Sequence, residues 1–158
     1  MSYSIQKVVG QKDLEAVKKL LWDYGKSRGF DAAMGDFKHE LAALPYRYAS
    51  SEGGCLLIAK IEEQAVGCVA YQALESNICE MKRLYVEPRY RGLKIGKALV
   101  NTLCTMATQN GYELMRLDTF DYYQAAINSY KKTGFYEIPP YHKYDEKGIL
   151  FFEKKLSS

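Results

Sequence analysis

The part of the sequence that most constrains the fold is the passage from a β-rich run into a long amphipathic helix between residues 78 and 110. The run from Ile78 to Val86 is rich in apolar and aromatic residues, and Pro88 ends it, which predicts a strand. From Lys94 to about Asn110, apolar residues recur at helical spacing, and Gly111 follows as a C-terminal stop. A strand that leads through a short loop into a helix predicts a layered α/β unit.

The remaining segments extend this unit into one mixed α/β domain. Loose alternation over residues 3–9 predicts a strand, and a helical pattern follows from Gln11 to Tyr24. A short second helix is expected to stop at Pro45. The segments predicted after it are a β-hairpin of Cys55–Ile61 and Ala65–Leu74, a strand over 113–119, a helix over Gln124–Thr133, and strands over Phe135–Ile138 and Ile149–Lys155. Without a repeat or a linker, 158 residues support a single domain over residues 1–158.

Composition and charge exclude several classes of protein. With 47% hydrophobic and 26% charged residues, the chain is not intrinsically disordered, a collagen or a coiled coil. The formal net charge, 22 basic minus 19 acidic residues or +3, is too small to imply nucleic-acid binding. No stretch approaches the ~18 uninterrupted apolar residues of a membrane span, and the N-terminus lacks the apolar run of a signal peptide. We therefore expect neither a membrane nor a nucleic acid as partner.

The four cysteines predict buried thiols in a reducing compartment. Cys55, Cys68, Cys79 and Cys104 lie far apart among apolar residues, with no CxxC pair and no histidine at ligand spacing. This pattern is typical of small buried hydrophobic residues and not of zinc or iron–sulfur ligands. We expect no bound metal and a cytoplasmic location.

Basic residues and glycines crowd the junction between the strand and the helix. Unpaired N–H groups and the positive end of the helix dipole already favour an anion there, and Gly92 and Gly96 would let a diphosphate approach the backbone. The basic residues are Arg89, Arg91, Lys94 and Lys97. The spacing excludes a P-loop and a dinucleotide-binding GxGxxG motif. The residues alone leave open a second interpretation, a solvated basic helix start.

Together with a second motif, this junction resembles the GNAT superfamily of acyl-CoA-dependent N-acyltransferases. The resemblance runs from EMKRLYV through the basic helix start to AAINSYKKTGF and covers nearly the whole domain. The family's central motif is Arg or Gln, two residues, Gly, one residue, then Gly or Ala. Arg91 and Gly96 match this motif, whereas Lys94 replaces its first glycine. The family's helix end, Tyr-x-Lys-x-Gly-Phe, is matched by Tyr130, Lys132, Gly134 and Phe135.

The resemblance implies a central, mostly antiparallel sheet flanked by helices, with acetyl-CoA as co-substrate. The co-substrate would lie in a V-shaped gap between the strands at 78–86 and 113–119, with its pyrophosphate on residues 91–97. Backbone groups at 84–86 would pair with the pantetheine arm as an added strand would. The implied cofactor-binding residues are Leu84, Tyr85, Val86, Arg91, Gly92, Leu93, Lys94, Ile95, Gly96, Lys97 and Lys132. Tyr123 stands where the family often has an Asn that contacts the cofactor.

The resemblance also implies catalysis by direct attack of an acceptor amine on the thioester. Tyr130 is expected to protonate the departing thiolate, and Glu80 to act as general base, directly or through water. Asp118, on the next strand, is the second candidate base. Asp118 and Tyr141 are expected to bind the acceptor, although tyrosines 141 and 144 could instead simply cover the sheet.

Two structural questions concern the strand that carries Glu80. An ion pair of Glu80 with Lys82 or Arg83 is the alternative to a catalytic role for this carboxylate. Alternation puts residues 80, 82 and 84 on one face of the strand and Met81, Arg83 and Tyr85 on the other, unless a bulge intervenes.

The acceptor is expected to be a small-molecule or peptide primary amine of open identity. Residues 25–44 fall where the family's variable helices shape acceptor access, and they include Arg28, Asp31, Asp36 and Glu40. The single histidines His39 and His142 are expected in surface or capping roles. Since dimers are common in the family, a homodimer is one expectation.

The alternative function is a CoA-binding sensor or interaction module that keeps the cleft without turnover. The retained Tyr130 disfavours this alternative. Nucleic-acid binding by Arg89–Lys97 is also disfavoured, because the patch has no aromatic stacking platform beyond Tyr85 and Tyr90.

Overall fold

The protein is built on a seven-stranded sheet with helices on both faces. The computed structural model describes residues 2–28 and 34–157, with the backbone alone for residues 34–36. The sheet order is β1-β2-β3-β4-β5-β7-β6, and every neighbouring pair is antiparallel except β4 and β5. The strands are β1 (Ser4–Lys7), β2 (Cys55–Ile61), β3 (Gln64–Glu75), β4 (Ile78–Val86), β5 (Leu114–Phe120), β6 (Tyr136–Ile138) and β7 (Ile149–Lys155).

Helices cover the two faces of the sheet in pairs. They are α1 (Gly10–Ser27), α2 (Met34–Ala42), α3 (Ile95–Gln109) and α4 (Gln124–Lys132). One core cluster packs residues of α1 and α2, such as Val17, Leu21 and Leu41, under one face. The other packs residues of α3 and α4, such as Leu99 and Ile127, under the opposite face. In the part of the chain that the structure describes, no helix is long and apolar enough to cross a bilayer.

The predicted fold class and element order are confirmed. The main differences concern element ends: α1 continues through Gly25 to Ser27, and the last residue expected in the hairpin loop, Gln64, begins β3. Glu62 and Glu63 alone make the turn, both with positive φ (50° and 69°), which matches the twist of a two-residue hairpin. The four cysteines are free and buried, as predicted.

A bulge in β4 breaks the alternation of its side chains. Against β3, Cys68 pairs with Tyr85 but Ala70 pairs with Lys82, so three steps on β4 oppose two on β3. Arg83 lies at this point with φ 63°, in the left-handed region. Met81 consequently belongs to the α3 and α4 side of the core, whereas Tyr85 belongs to the α1 and α2 side. Simple alternation, which places both residues on one face, is therefore wrong beyond the bulge.

β4 and β5 pair over only three residues and then separate. The last pair joins Glu80 to Arg116, although β4 continues to Val86 and β5 to Phe120. Both α3 and α4 begin near the open end of this gap. The gap expected between the two strands is thus part of the fold.

A buried ion pair ties the start of α1 to the sheet. Asp13 is 5% exposed, accepts a hydrogen bond from the Val9 amide at 2.9 Å, and pairs with Lys60 Nζ of β2 at 2.8 Å. The hydrogen bond and charge of Lys60, with the Val9 amide, hold the pKa of Asp13 below its usual value of 3.8. Because the folded state favours the ionised carboxyl, this contact stabilises the fold above the unfolded pKa.

We therefore predict that Asp13→Asn weakens the dependence of the free energy of unfolding on pH in the acid range. In the parent protein, the contribution of Asp13 should disappear as the pH falls through its lowered pKa, mainly between about pH 5 and pH 2. Urea unfolding across this range measures the effect, with Glu15→Gln as the control because Glu15 is exposed on the same helix. If the free energy of unfolding falls equally with pH in the parent and in Asp13→Asn, this account is contradicted.

Candidate active site

Two cavities meet in the gap between β4 and β5. The larger, of about 710 Å³, lies toward the start of α3, and the smaller, of about 290 Å³, lies between the two strands and the β6–β7 loop, residues 139–148. Three residues line both: Arg28, Leu84 and Tyr130. A group placed at this junction is accessible from either cavity.

The larger cavity faces the N-terminus of α3. This helix has no side-chain cap and no acidic residue in its first turn, so its first N–H groups remain available to an anion. Gly92 has φ 94°, and a Cβ added to it would meet no atom within 4 Å, while a Cβ on Gly96 would meet Val86 only at 3.8 Å. The surface above both glycines is therefore open on the ligand side.

Lys94 keeps the backbone conformation of the glycine that it replaces in the motif. It precedes α3 with φ 63° and ψ 21°, in the left-handed region that glycine adopts without steric cost. Its side chain is exposed and the residue lines the larger cavity. The departure from the motif thus adds a cation and some backbone strain but does not change the course of the chain.

The structure separates the predicted cofactor residues into two groups. The group that lines the larger cavity is Leu84, Tyr85, Val86, Arg91, Gly92, Lys94, Ile95 and Gly96. The other three, Leu93, Lys97 and Lys132, do not line it. One donor of the Arg91 guanidinium is already used within the protein, because its Nε donates a hydrogen bond to the Val86 carbonyl at 2.9 Å.

Tyr130 lies on α4 at the junction of the cavities. Its ring packs edge-on against Phe135 with centroids 5.8 Å apart, and the residue is 9% exposed. Burial raises the pKa of Tyr130 to about 12, against the opposing positive charge of Arg28. The phenol therefore stays protonated over the whole physiological range.

The smaller cavity has polar and aromatic walls. Asp118 of β5 lines it and accepts a hydrogen bond from the Tyr144 hydroxyl at 2.9 Å. Tyr144 itself lines the cavity from the β6–β7 loop, with its ring stacked on Phe151. Tyr141, the other tyrosine expected near the acceptor, does not line this cavity.

Glu80 lies at the apex of the gap and is 1% exposed. Its carboxylate accepts hydrogen bonds from Gln72 at 3.0 Å and from Tyr141 at 2.8 Å, and His142 Nε2 lies 2.8 Å from the same oxygen as Tyr141. Burial would raise the pKa of Glu80, but the charge of Lys82 and the two contacts from the loop together lower it below its usual 4.5. Glu80 does not line either cavity.

His142 is the residue of this region whose position the sequence did not indicate. Its ring nitrogen and the carboxylate oxygens of Glu80 and Asp118 all lie within 4.8 Å of one another. His142 lies about sixty residues from Glu80 in sequence, and only the path of the β6–β7 loop brings the two together. The sole signal was the Pro139-Pro140 turn, which predicts a return of the chain but not its target.

The segment expected to shape acceptor access is described in part. Arg28 lines both cavities, and Glu40 lies behind β4, where it receives two hydrogen bonds of 2.8 Å from Arg83. Asp31 and the side chain of Asp36 lie outside the described residues.

Comparison with known proteins identifies the family. A profile described as the Acetyltransferase (GNAT) family matches residues 14–135. An uncharacterized N-acetyltransferase of Schizosaccharomyces pombe is 35% identical over 98% of this chain and 95% of its own length. The chain therefore belongs to the GNAT acetyltransferase family, and the predicted enzyme class is confirmed.

Solved structures show the same fold. A GNAT-family acetyltransferase from Staphylococcus aureus superimposes with a TM-score of 0.81 at 23% identity, covering 99% of this chain and 100% of that one. PaiA N-acetyltransferase from Thermoplasma acidophilum, solved in complex with coenzyme A, gives a TM-score of 0.78 at 22% identity, covering 98% and 99%.

We predict that Lys94→Gly stabilises the protein. Removing a side chain from a left-handed residue should raise the free energy of unfolding by about 1 kcal/mol, since the strain is relieved without loss of a helical contact. Lys97→Gly is the matched control, because the same change inside the first turn of α3 should lower stability by up to about 1 kcal/mol. Urea unfolding of the three proteins tests this, and a destabilised Lys94→Gly protein would contradict it.

Proposed function

We propose that this protein transfers the acetyl group of acetyl-CoA, held in the larger cavity, to a primary amine held in the smaller one. The observation that supports this proposal is the shared lining at Leu84 and Tyr130, which brings both cavities to one point. The proposed acceptor is a small molecule or a peptide amine.

The residues of the larger cavity suit a CoA molecule. The uncapped first turn of α3 and the open surface over Gly92 suit its pyrophosphate, and Lys94 adds a cation beside them. Leu84, Tyr85 and Val86 would lie along the pantetheine arm. Leu93, Lys97 and Lys132 would contact only parts of the molecule that extend beyond the cavity.

The proposed chemistry divides proton transfers between the two cavities. When bound, acetyl-CoA supplies a thioester whose carbon–sulfur bond breaks as the acceptor nitrogen bonds to the carbonyl carbon. Tyr130 would donate its phenolic proton at the sulfur and regain one from solvent. The proton that the acceptor nitrogen loses would pass to Asp118, directly or through water.

Burial decides whether Tyr130 can act as this acid. Against a solvated thiol with a pKa near 8.5, a phenol at about 12 would give up its proton uphill by about 5 kcal/mol. Burial raises the pKa of a thiol as well: that of Cys68, fully buried here, rises to about 12. Exclusion of water around the departing thiolate would raise its pKa in the same direction and so reduce the uphill difference.

The base is proposed to be Asp118, with Glu80 contributing through its partners. Asp118 lines the acceptor cavity, whereas the oxygens of Glu80 are occupied by Gln72, Tyr141 and His142. With a pKa below its usual value, Glu80 is also a weak proton acceptor at neutral pH. Any transfer involving Glu80 would thus pass through His142 or water.

We predict that Tyr130→Phe lowers turnover about 100-fold or more while CoA binding stays intact. The ring still packs on Phe135, so only the proton is lost. Thiol release from acetyl-CoA measures turnover, and thermal shift with CoA measures binding. Tyr3→Phe, at an exposed tyrosine outside both cavities, is the control.

Unchanged turnover in Tyr130→Phe would remove the assignment of Tyr130 as acid. Binding of CoA by the parent protein, without thiol release across a broad amine panel, would instead favour a non-catalytic binding module.

The two carboxylates should differ in the kinetic effect of their loss. We predict that Asp118→Asn lowers kcat about 100-fold with the KM for acetyl-CoA unchanged, and that Glu80→Gln raises the KM for the acceptor more than it lowers kcat. The reason is that Asp118 lines the smaller cavity while Glu80 holds the β6–β7 loop. Steady-state kinetics of the parent and both variants make the comparison. If kcat of Asp118→Asn stays close to that of the parent, water alone accepts the proton.

A further inference from the structure

We infer that the acceptor is a free α-amino acid, whose carboxylate is bound by Arg28 while its amine faces Asp118. This inference rests on the proposed function, because it assigns the molecule that fills the smaller cavity. It is carried by the placement of Arg28 and by the distribution of charge around that cavity.

Arg28 is fixed at the junction by aromatic rings. It follows the last residue of α1, and its guanidinium lies 4.1 Å from the ring centroid of Tyr123 and 5.1 Å from that of Tyr24. Cation–π contacts hold a guanidinium without consuming its hydrogen-bond donors along the edge. Tyr123, which departs from the family pattern, thus provides a platform for Arg28.

The other cations of the smaller cavity are already paired. Arg83 makes two hydrogen bonds of 2.8 Å with Glu40, and Lys82 lies 3.5 Å from the buried Glu80. Arg28 makes no ion pair with any residue that the structure describes. It is therefore the cation of this cavity that remains available to a ligand.

A negative side chain lies in the same cavity without a cationic partner. Asp118 accepts a hydrogen bond from neutral Tyr144, and within the described residues neither Asp118 nor the exposed Glu146, which also lines the cavity, has an ion pair. A cavity with an unpaired cation and unpaired carboxylates is complementary to a molecule that carries both a carboxylate and an amine. A simple amine would leave Arg28 without an anion, and a diacid without an amine could not react.

Size and position narrow this molecule to an α-amino acid. The cavity measures about 290 Å³, at the lower limit of ordinary ligand sites, which suits a molecule of amino-acid size. Arg28 lines the junction with Tyr130, the point of transfer, and its charge acts on the Tyr130 phenol. A carboxylate bound at Arg28 would therefore lie close to the reacting nitrogen. This is the arrangement in an α-amino acid, where the carboxylate and the amine are attached to one carbon.

The experiment compares amino acids with their carboxamides. Each of the twenty amino acids and its amide is offered with acetyl-CoA, and thiol release and the acetylated product are measured. The parent protein should prefer the acid by about 10- to 100-fold in kcat/KM, the range expected for a charged hydrogen-bonded pair. Amides have the larger fraction of neutral, nucleophilic amine at neutral pH, so this preference can arise only from recognition of the carboxylate.

Variants assign the preference to Arg28. Arg28→Gln should remove the preference for acids over amides, lowering kcat/KM for acids about 10- to 100-fold more than for amides, and Arg28→Lys should restore part of the preference. Lys26→Gln, which removes an exposed cation from the same helix outside both cavities, should change neither. The KM for acetyl-CoA should stay constant, and thermal unfolding checks that each variant is folded.

Three results would overturn the inference. Amides or peptides acetylated as well as free acids would exclude carboxylate recognition but leave the transfer reaction standing. An Arg28→Gln protein that loses activity equally on acids and amides, with a raised KM for acetyl-CoA, would assign Arg28 to the donor. No thiol release with any amine, despite CoA binding, would overturn the proposed function and this inference with it.

Discussion

The ion pair between Arg83 and Glu40 is the contact on which the shape of the site depends. Arg83 lies at the bulge of β4 with positive φ, a conformation that a non-glycine residue adopts only when its surroundings enforce it. Both nitrogens of its fork donate to Glu40 of α2 at 2.8 Å, and Tyr48 donates to the same carboxylate at 3.0 Å. Removing one partner of a buried pair typically costs about 3–5 kcal/mol, so the bulge is firmly held. Leu84, the residue after the bulge, lines both cavities.

The apex of the gap is closed from the opposite side by a second polar cluster. β4 and β5 last pair at Glu80 and Arg116, and the β6–β7 loop is fastened there by Tyr141 and His142 on Glu80. The same loop reaches Asp118 through Tyr144. Because the β6–β7 loop is held at the apex in this way, the shape of the smaller cavity depends on one buried carboxylate. The Glu80 carboxylate can therefore be essential to the shape of the site without transferring a proton.

The elements of the fold could be read from the sequence because each has a local cause. Helical spacing from Ile95 onward and the stop at Gly111 define α3, and Pro88 ends the strand before it. The bulge could not be predicted, since it depends on Glu40, which lies 43 residues from Arg83 in sequence. The contacts of Glu80 with Tyr141 and His142 could not be predicted either, because these residues lie 61 and 62 positions away in sequence. The start of α3 positions the residues of the junction motif locally, whereas the smaller cavity is lined from five separate segments, residues 24–28, 81–84, 117–120, 130 and 144–149.

The two departures from the family motif show how such a site can change without loss of its framework. Lys94 keeps the left-handed backbone of a glycine, so the course of the loop into α3 is unaltered while the cavity gains a cation. Tyr123 precedes α4 at a position near the junction and carries Arg28 on its ring. In both cases the side chain lies at the larger cavity, where it changes the chemistry presented to a ligand. Under the proposed function the donor would be bound largely by backbone groups and the acceptor by side chains, so substitutions of this kind would alter acceptor choice at little cost to donor binding.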